Sequence, residues 1–120
     1  MRKTMTVKEF YEQISGNYED AVDRLLSDDL IRRFALKYRE DPSFDQLKNA
    51  LIQEKAEESF KAAHTLKGVS KTLAFERLGD HASRITEMLR KGDLEQAVIY
   101  FPILEEEHKR VRTALEQLEK

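Results

Sequence analysis

Residues 57–73 read EESFKAAHTLKGVSKTL. Set on a helix at 100° per residue, Ser59, Ala62, Ala63, Leu66, Val69, Ser70 and Leu73 all fall within about 60° of Leu66, a stripe suited to burial. His64 lies about 160° from Leu66 on the same wheel and is expected to point to water. Lys61, Lys67, Gly68 and Lys71 share that outer face, and no acidic residue occurs from Ser59 to Phe75. The period is helical, and it extends in both directions.

On the N-terminal side, Val7, Phe10, Tyr11 and Ile14 mark a short helix that breaks at Ser15-Gly16-Asn17. Asn17 can cap a second one through Leu26, and Ser27 a third, with Asp28 and Asp29 in its first turn where the helix dipole favours carboxylates. Leu30, Ile31, Phe34 and Tyr38 continue that stripe to Asp41-Pro42, where proline imposes a break or kink. The helix resumes through Phe44, Leu47, Leu51 and Ile52. On the C-terminal side, about 76–91 is a further helix closed by Lys91-Gly92 in the manner of a glycine cap. Asp93 caps the last, which carries Ala97, Phe101, Leu104, Val111, Leu115 and Leu118 and is expected to bend at Pro102. Strand-type alternation is absent. The spacing therefore predicts an all-α chain: an up-down antiparallel four-helix bundle with one or two short N-terminal helices packed against it. One domain is expected over 1–120, with 1–26 as a helical extension and 27–118 as the bundle.

Composition narrows the function. The chain has 120 residues, 40% apolar and 37% charged, with four glycines, two prolines and no cysteine, which excludes collagen-like, proline-rich and disulfide-scaffold classes. Twenty-one Lys and Arg against 23 Asp and Glu give a formal charge of −2, without the basic excess of a nucleic-acid binder. No apolar stretch approaches the roughly 18 residues of a membrane span, and MRKTMTVKEF lacks the apolar run of a secretory signal. A cytoplasmic protein without membrane or nucleic-acid partners is expected. No phosphate-binding glycine loop is present, so the chain is not expected to phosphorylate itself from ATP.

Gly68 is the anomaly. A glycine inside a helix costs about 1 kcal/mol relative to alanine, and nothing nearby calls for a turn. One turn beyond His64, it clears the approach to an exposed imidazole ringed by ammonium groups, an arrangement suited to an anion. The other reading is a chance cluster on a solvated face. The remaining histidines read differently: His81 as a satisfied boundary residue and His108 as a packing or boundary residue. Glu105-x-x-His108 is a single Glu-x-x-His where a di-iron bundle needs two, so the run Glu105–Glu107 reads as a solvated face.

The segment His64-Thr65-Leu66-Lys67-Gly68-Val69-Ser70, preceded by Ala62-Ala63 and followed by Leu73, resembles the phosphoacceptor helix of histidine phosphotransfer (HPt) domains. The resemblance continues through Arg77-Leu78 to Leu89-Arg90-Lys91-Gly92-Asp93, strongest over about 57–94. It implies a phosphorelay carrier, not an enzyme in its own right. His64 would accept a phosphoryl group from a receiver-domain aspartate and pass it to another receiver. Lys67 would stabilise the phosphohistidine, with Lys61, Gly68 and Lys71 on the docking face. An ordinary imidazole titrates near about 6.5 and is largely neutral and nucleophilic at pH 7 without a base beside it. Receiver domains and a hybrid histidine kinase are the implied partners. No cofactor or metal of the chain's own is expected, Mg²⁺ belonging to the receiver, and a monomer suffices. The chain departs from the family pattern at Lys71, often small, and at Ala74, often glycine. A helical interaction module that carries no phosphate is the alternative.

Overall fold

Thr6 opens the first helix with a reciprocal cap: its hydroxyl accepts the Glu9 N–H at 3.0 Å, and the Glu9 carboxylate accepts the Thr6 N–H at 2.8 Å. The computed structural model describes residues 5–119, and every regular element among them is helical. These are α1 (Val7–Gln13), α2 (Tyr18–Leu25), α3 (Asp28–Lys37), a 3₁₀ turn (Tyr38–Glu40), α4 (Ser43–Ile52), α5 (Ala56–Thr72), α6 (Glu76–Arg90) and α7 (Leu94–Glu119). The caps sit where short polar side chains predict them. Asn17 accepts the Asp20 N–H at 2.9 Å, Ser27 that of Leu30 at 3.2 Å, and Asp93 that of Gln96 at 3.0 Å. At Asp41-Pro42 the chain leaves the helix and restarts, the Asp41 carboxylate accepting the Ser43 N–H at 2.9 Å. α7 runs without a break through Pro102, whose ring is exposed.

The ends of α5 and α6 share one geometry. Phe75 N–H reaches Ser70 O at 2.9 Å and Ala74 N–H reaches Lys71 O at 3.0 Å; Asp93 and Gly92 repeat both bonds to Met88 and Leu89. In each the residue after the C-cap is left-handed, with φ of 57° at Ala74 and 80° at Gly92. Gly92 adopts this freely, whereas an alanine there pays about 1–2 kcal/mol. The turn at Ala74 is therefore as tight as one built on glycine. Its carbonyl is also used, accepting the Asn17 N–H at 2.9 Å.

α4, α5, α6 and α7 form a ring of contacts: α5 packs on α4 and α6, α6 on α7, and α7 returns to α4. Gly79, buried on α6, faces α5; a methyl there would lie 3.4 Å from the Lys71 side chain and 3.5 Å from that of Ser70, ordinary contact distances. The N-terminal helices are not an appendage to this ring. Phe10, Tyr11 and Ile14 are fully buried in the same core as Leu66, Leu78, Ile85, Leu104 and Leu115. The Tyr11 hydroxyl donates to the Leu73 carbonyl at 2.6 Å, pinning α1 to the end of α5. Arg32 on α3 donates to the carbonyls of Leu118 and Met5, at 2.7 and 3.1 Å, and ties both ends of the chain to one point.

One side chain overturns a sequence expectation. The run Glu105–Glu107 is not a solvated face: Glu107 is 3% exposed and pairs with Arg77 Nε at 2.9 Å, while Glu105 pairs with Lys48 at 2.8 Å. Only Glu106 is fully in water. The reason is rotational. Glu107 stands three residues after Leu104 and four before Val111, on the flank of the buried stripe, where α6 presents Arg77 to cover it. No helix among the described residues is long and apolar enough to cross a membrane.

Candidate functional site

α5 displays the site because its other face is made of small residues. Ser59, Ala62, Ala63, Leu66 and Ser70 are buried, so neighbouring helices come close and the opposite face stands clear. His64 is on that face, exposed, and among the described residues it makes no hydrogen bond or ion pair. The ring contact it makes is with Phe60, one turn earlier, with ring centroids 5.9 Å apart and planes at 47°. A methyl at Gly68, one turn later, would meet nothing within 4 Å. The glycine therefore relieves no contact inside the fold. It keeps space open on the outside.

The lysines divide by environment. Lys61 is exposed and lies 3.5 Å from Glu57, a pair in water that contributes little. Lys67 is half-buried and Lys71 is exposed, and neither makes an ion pair among the described residues. Two shallow clefts flank the helix. One, of about 380 Å³, brings Gly68, Val69 and Leu73 together with Phe34 and Tyr38 from α3 and the turn after it. The other, of about 390 Å³, sets Gln46 and Asn49 of α4, and Gln53 at its C-cap, against Lys61 and Thr65.

The sequence gives no role to Phe60, beside the imidazole, or to Arg90, beside Phe60. Phe60 belongs to neither the buried stripe nor the motif, and Arg90 reaches its ring from α6, the guanidinium carbon 5.1 Å from the centroid. An aromatic four residues before the histidine was a signal available for the first. Nothing local could have found the second.

The other histidines are engaged in the fold. His81 is half-buried with Nδ1 2.6 Å from the Tyr100 hydroxyl, and burial lowers its pKa. His108 stacks on Phe44 at 3.8 Å, with Nδ1 2.8 Å from the Tyr38 hydroxyl. Its pKa is pushed down to about 4, first by burial and then by the nearby Arg112, against the opposing pull of Asp45, Glu105 and Asp41. Among the described residues no group of three or more His, Asp or Glu side chains could hold a metal ion, and Glu105 and His108 face different partners.

The His108 geometry carries a pH dependence. The unfolded chain takes up this proton near the ordinary value of about 6.5, and the native state only near 4. The contribution is thus complete above pH 6.5 and is lost as pH falls towards 4, because the unfolded state binds the proton first. Urea midpoints measured from pH 7 to 4.5 are expected to fall through that window. In His108→Gln the fall should be shallower; an identical slope would remove His108 as its cause.

A family profile described as Hpt domain matches residues 29–120. The chain belongs to the Hpt domain family. Comparison with curated proteins and with solved structures returns no match. Hpt domains are phosphocarriers of phosphorelay signalling that work with receiver domains and kinases, and the matched span runs from the second residue of α3 through α7, with the whole of α5 inside it.

Proposed function

We propose that this Hpt domain is a phosphorelay carrier that accepts a phosphoryl group on His64 from a receiver aspartate and delivers it to a second receiver. The observation that supports this most is the imidazole itself: exposed, without a hydrogen bond or ion pair among the described residues, and with open space over Gly68. In the forward step a ring nitrogen lone pair attacks the phosphorus of the aspartyl phosphate. The P–O bond to the carboxylate breaks as the P–N bond forms, and the other ring nitrogen keeps its proton. The return step reverses this on the next aspartate. Phosphoryl transfer of this kind depends on positioning and charge stabilisation, not on a protein base. Lys67 supplies a point charge beside the phosphohistidine, while Lys61, Gly68 and Lys71 belong to the docking face. Mg²⁺ remains with the receiver. The carrier acts in the cytoplasm as a monomer and has no kinase activity of its own. Its bundle is the up-down arrangement of the α3–α4 segment, α5, α6 and α7, and α1 and α2 complete the same domain.

The test is direct. Incubation with each of several phosphorylated receivers from the same genome should transfer label that is acid-labile and base-stable. A chain that never takes label is an interaction module and not a carrier.

Gly68→Gln separates docking from folding. The added side chain enters open space and glutamine is the better helix former, so thermal stability should hold or rise by up to about 1 kcal/mol. Transfer from the receiver should nevertheless slow, because the partner's approach is blocked. Normal transfer by this variant would refute the role given to the glycine.

A further inference from the structure

The imidazole of His64 is asymmetrically housed, and we infer that Phe60 is a positioning residue that holds it in one orientation and restricts the partner's approach to the Gly68 side. The kinetic part of this rests on the carrier reading above; the conformational part does not.

Side chains on a helix lean towards its N-terminus, so the imidazole of His64 overhangs the turn that begins at Phe60 and not the turn at Gly68. Phe60 is half-buried, and its ring lies 5.9 Å from the imidazole and tilted to it. The phenyl ring is itself held. The Arg90 guanidinium stands 5.1 Å from its centroid, and Arg90 Nε pairs with the Glu87 carboxylate at 3.0 Å. Phe60 thus links α6 to the imidazole, through a cation–π contact with Arg90 on one side and a tilted ring contact with His64 on the other. On the opposite side of His64, a methyl at Gly68 would meet nothing within 4 Å among the described residues. A ring on one side and open space on the other make the Gly68 side the less obstructed approach for an in-line donor. They also select one of the few staggered wells open to a helical histidine before the partner arrives.

The experiment compares the full chain with Phe60→Ala and Phe60→Tyr. In the free protein, three-bond couplings that report His64 χ1 should indicate one dominant rotamer for the wild type and for Phe60→Tyr, and averaged values for Phe60→Ala. With a phosphorylated receiver as donor, Phe60→Ala should lower the maximal transfer rate about fivefold, the factor that one side chain's lost rotamer freedom represents. The receiver concentration for half-maximal rate should change by less than about twofold, and Phe60→Tyr should restore the rate. A single His64 rotamer in Phe60→Ala, or a defect confined to half-saturation, overturns the assignment. Should Phe60→Ala fail to fold, Phe60→Leu carries the same measurements, since it keeps bulk but loses the ring. If the wild type takes no label from any receiver, the carrier reading fails, and the couplings still decide whether Phe60 orients the imidazole.

Discussion

His64→Gln is expected to remove all phosphoryl label while leaving the fold as stable as the wild type. Glutamine matches histidine in size and polarity but has no basic ring nitrogen to attack phosphorus. His64 is exposed and without a hydrogen bond among the described residues, so its replacement should shift stability by no more than about 0.5 kcal/mol. Loss of label with an unchanged melting curve thus separates chemistry from structure. Lys67→Ala, in the same assay, should retain transfer at about a tenth of the rate, the consequence of losing about 1.4 kcal/mol of charge stabilisation. Label that persists in His64→Gln would shift the acceptor to another residue and defeat the reading. The other two histidines are poor substitutes, because Tyr100 and Tyr38 already occupy one nitrogen of each and both rings are partly buried.

Phe75→Ala is expected to be the most damaging core change, costing about 3–5 kcal/mol. Phe75 is fully buried where α5 turns into α6, and its ring lies 5.8 Å from that of Phe10, 5.9 Å from Tyr11 and 5.7 Å from Tyr38. These are edge-on or tilted pairs of the kind aromatic rings favour. One ring thereby joins α1, the turn after α3 and the end of α5. Alanine would leave a cavity that none of the three rings can fill without abandoning its other contacts. Against a total of about 5–15 kcal/mol for a domain of this kind, the variant should stay folded at low temperature and melt about 15 °C lower. Calorimetry of the two proteins decides it. A loss under 1 kcal/mol would mean that α1 is held by Tyr11 and its bond to Leu73 without help from this ring.

The distinction between local and distant causes explains what could be read beforehand. Helix boundaries were legible because their determinants lie within four residues. Thr6, Asn17, Ser27 and Asp93 each satisfy N–H groups of their own first turn, and Gly92 takes a backbone conformation that other residues resist. The outward direction of His64 was equally local, since 100° per residue fixes it relative to Leu66. Ala74 was read as a departure from a glycine pattern, and the chain adopts the left-handed turn there regardless, with two cap hydrogen bonds and the bond from Asn17 to hold it. Glu107 was misread for the opposite reason. A carboxylate between two others looks solvated until the helix that covers it is known.

What the sequence alone determined, then, is which residues are helical, where each helix stops and which way the histidine faces. Those follow from hydrogen bonds and rotations within a turn or two of chain. The burial of Glu107 beneath Arg77, the insertion of α1 through Tyr11 and the clamp of Arg90 on Phe60 were decided by tertiary structure. They join residues 30 to 62 positions apart, and no local energy selects such a partner until packed helix faces bring the side chains together.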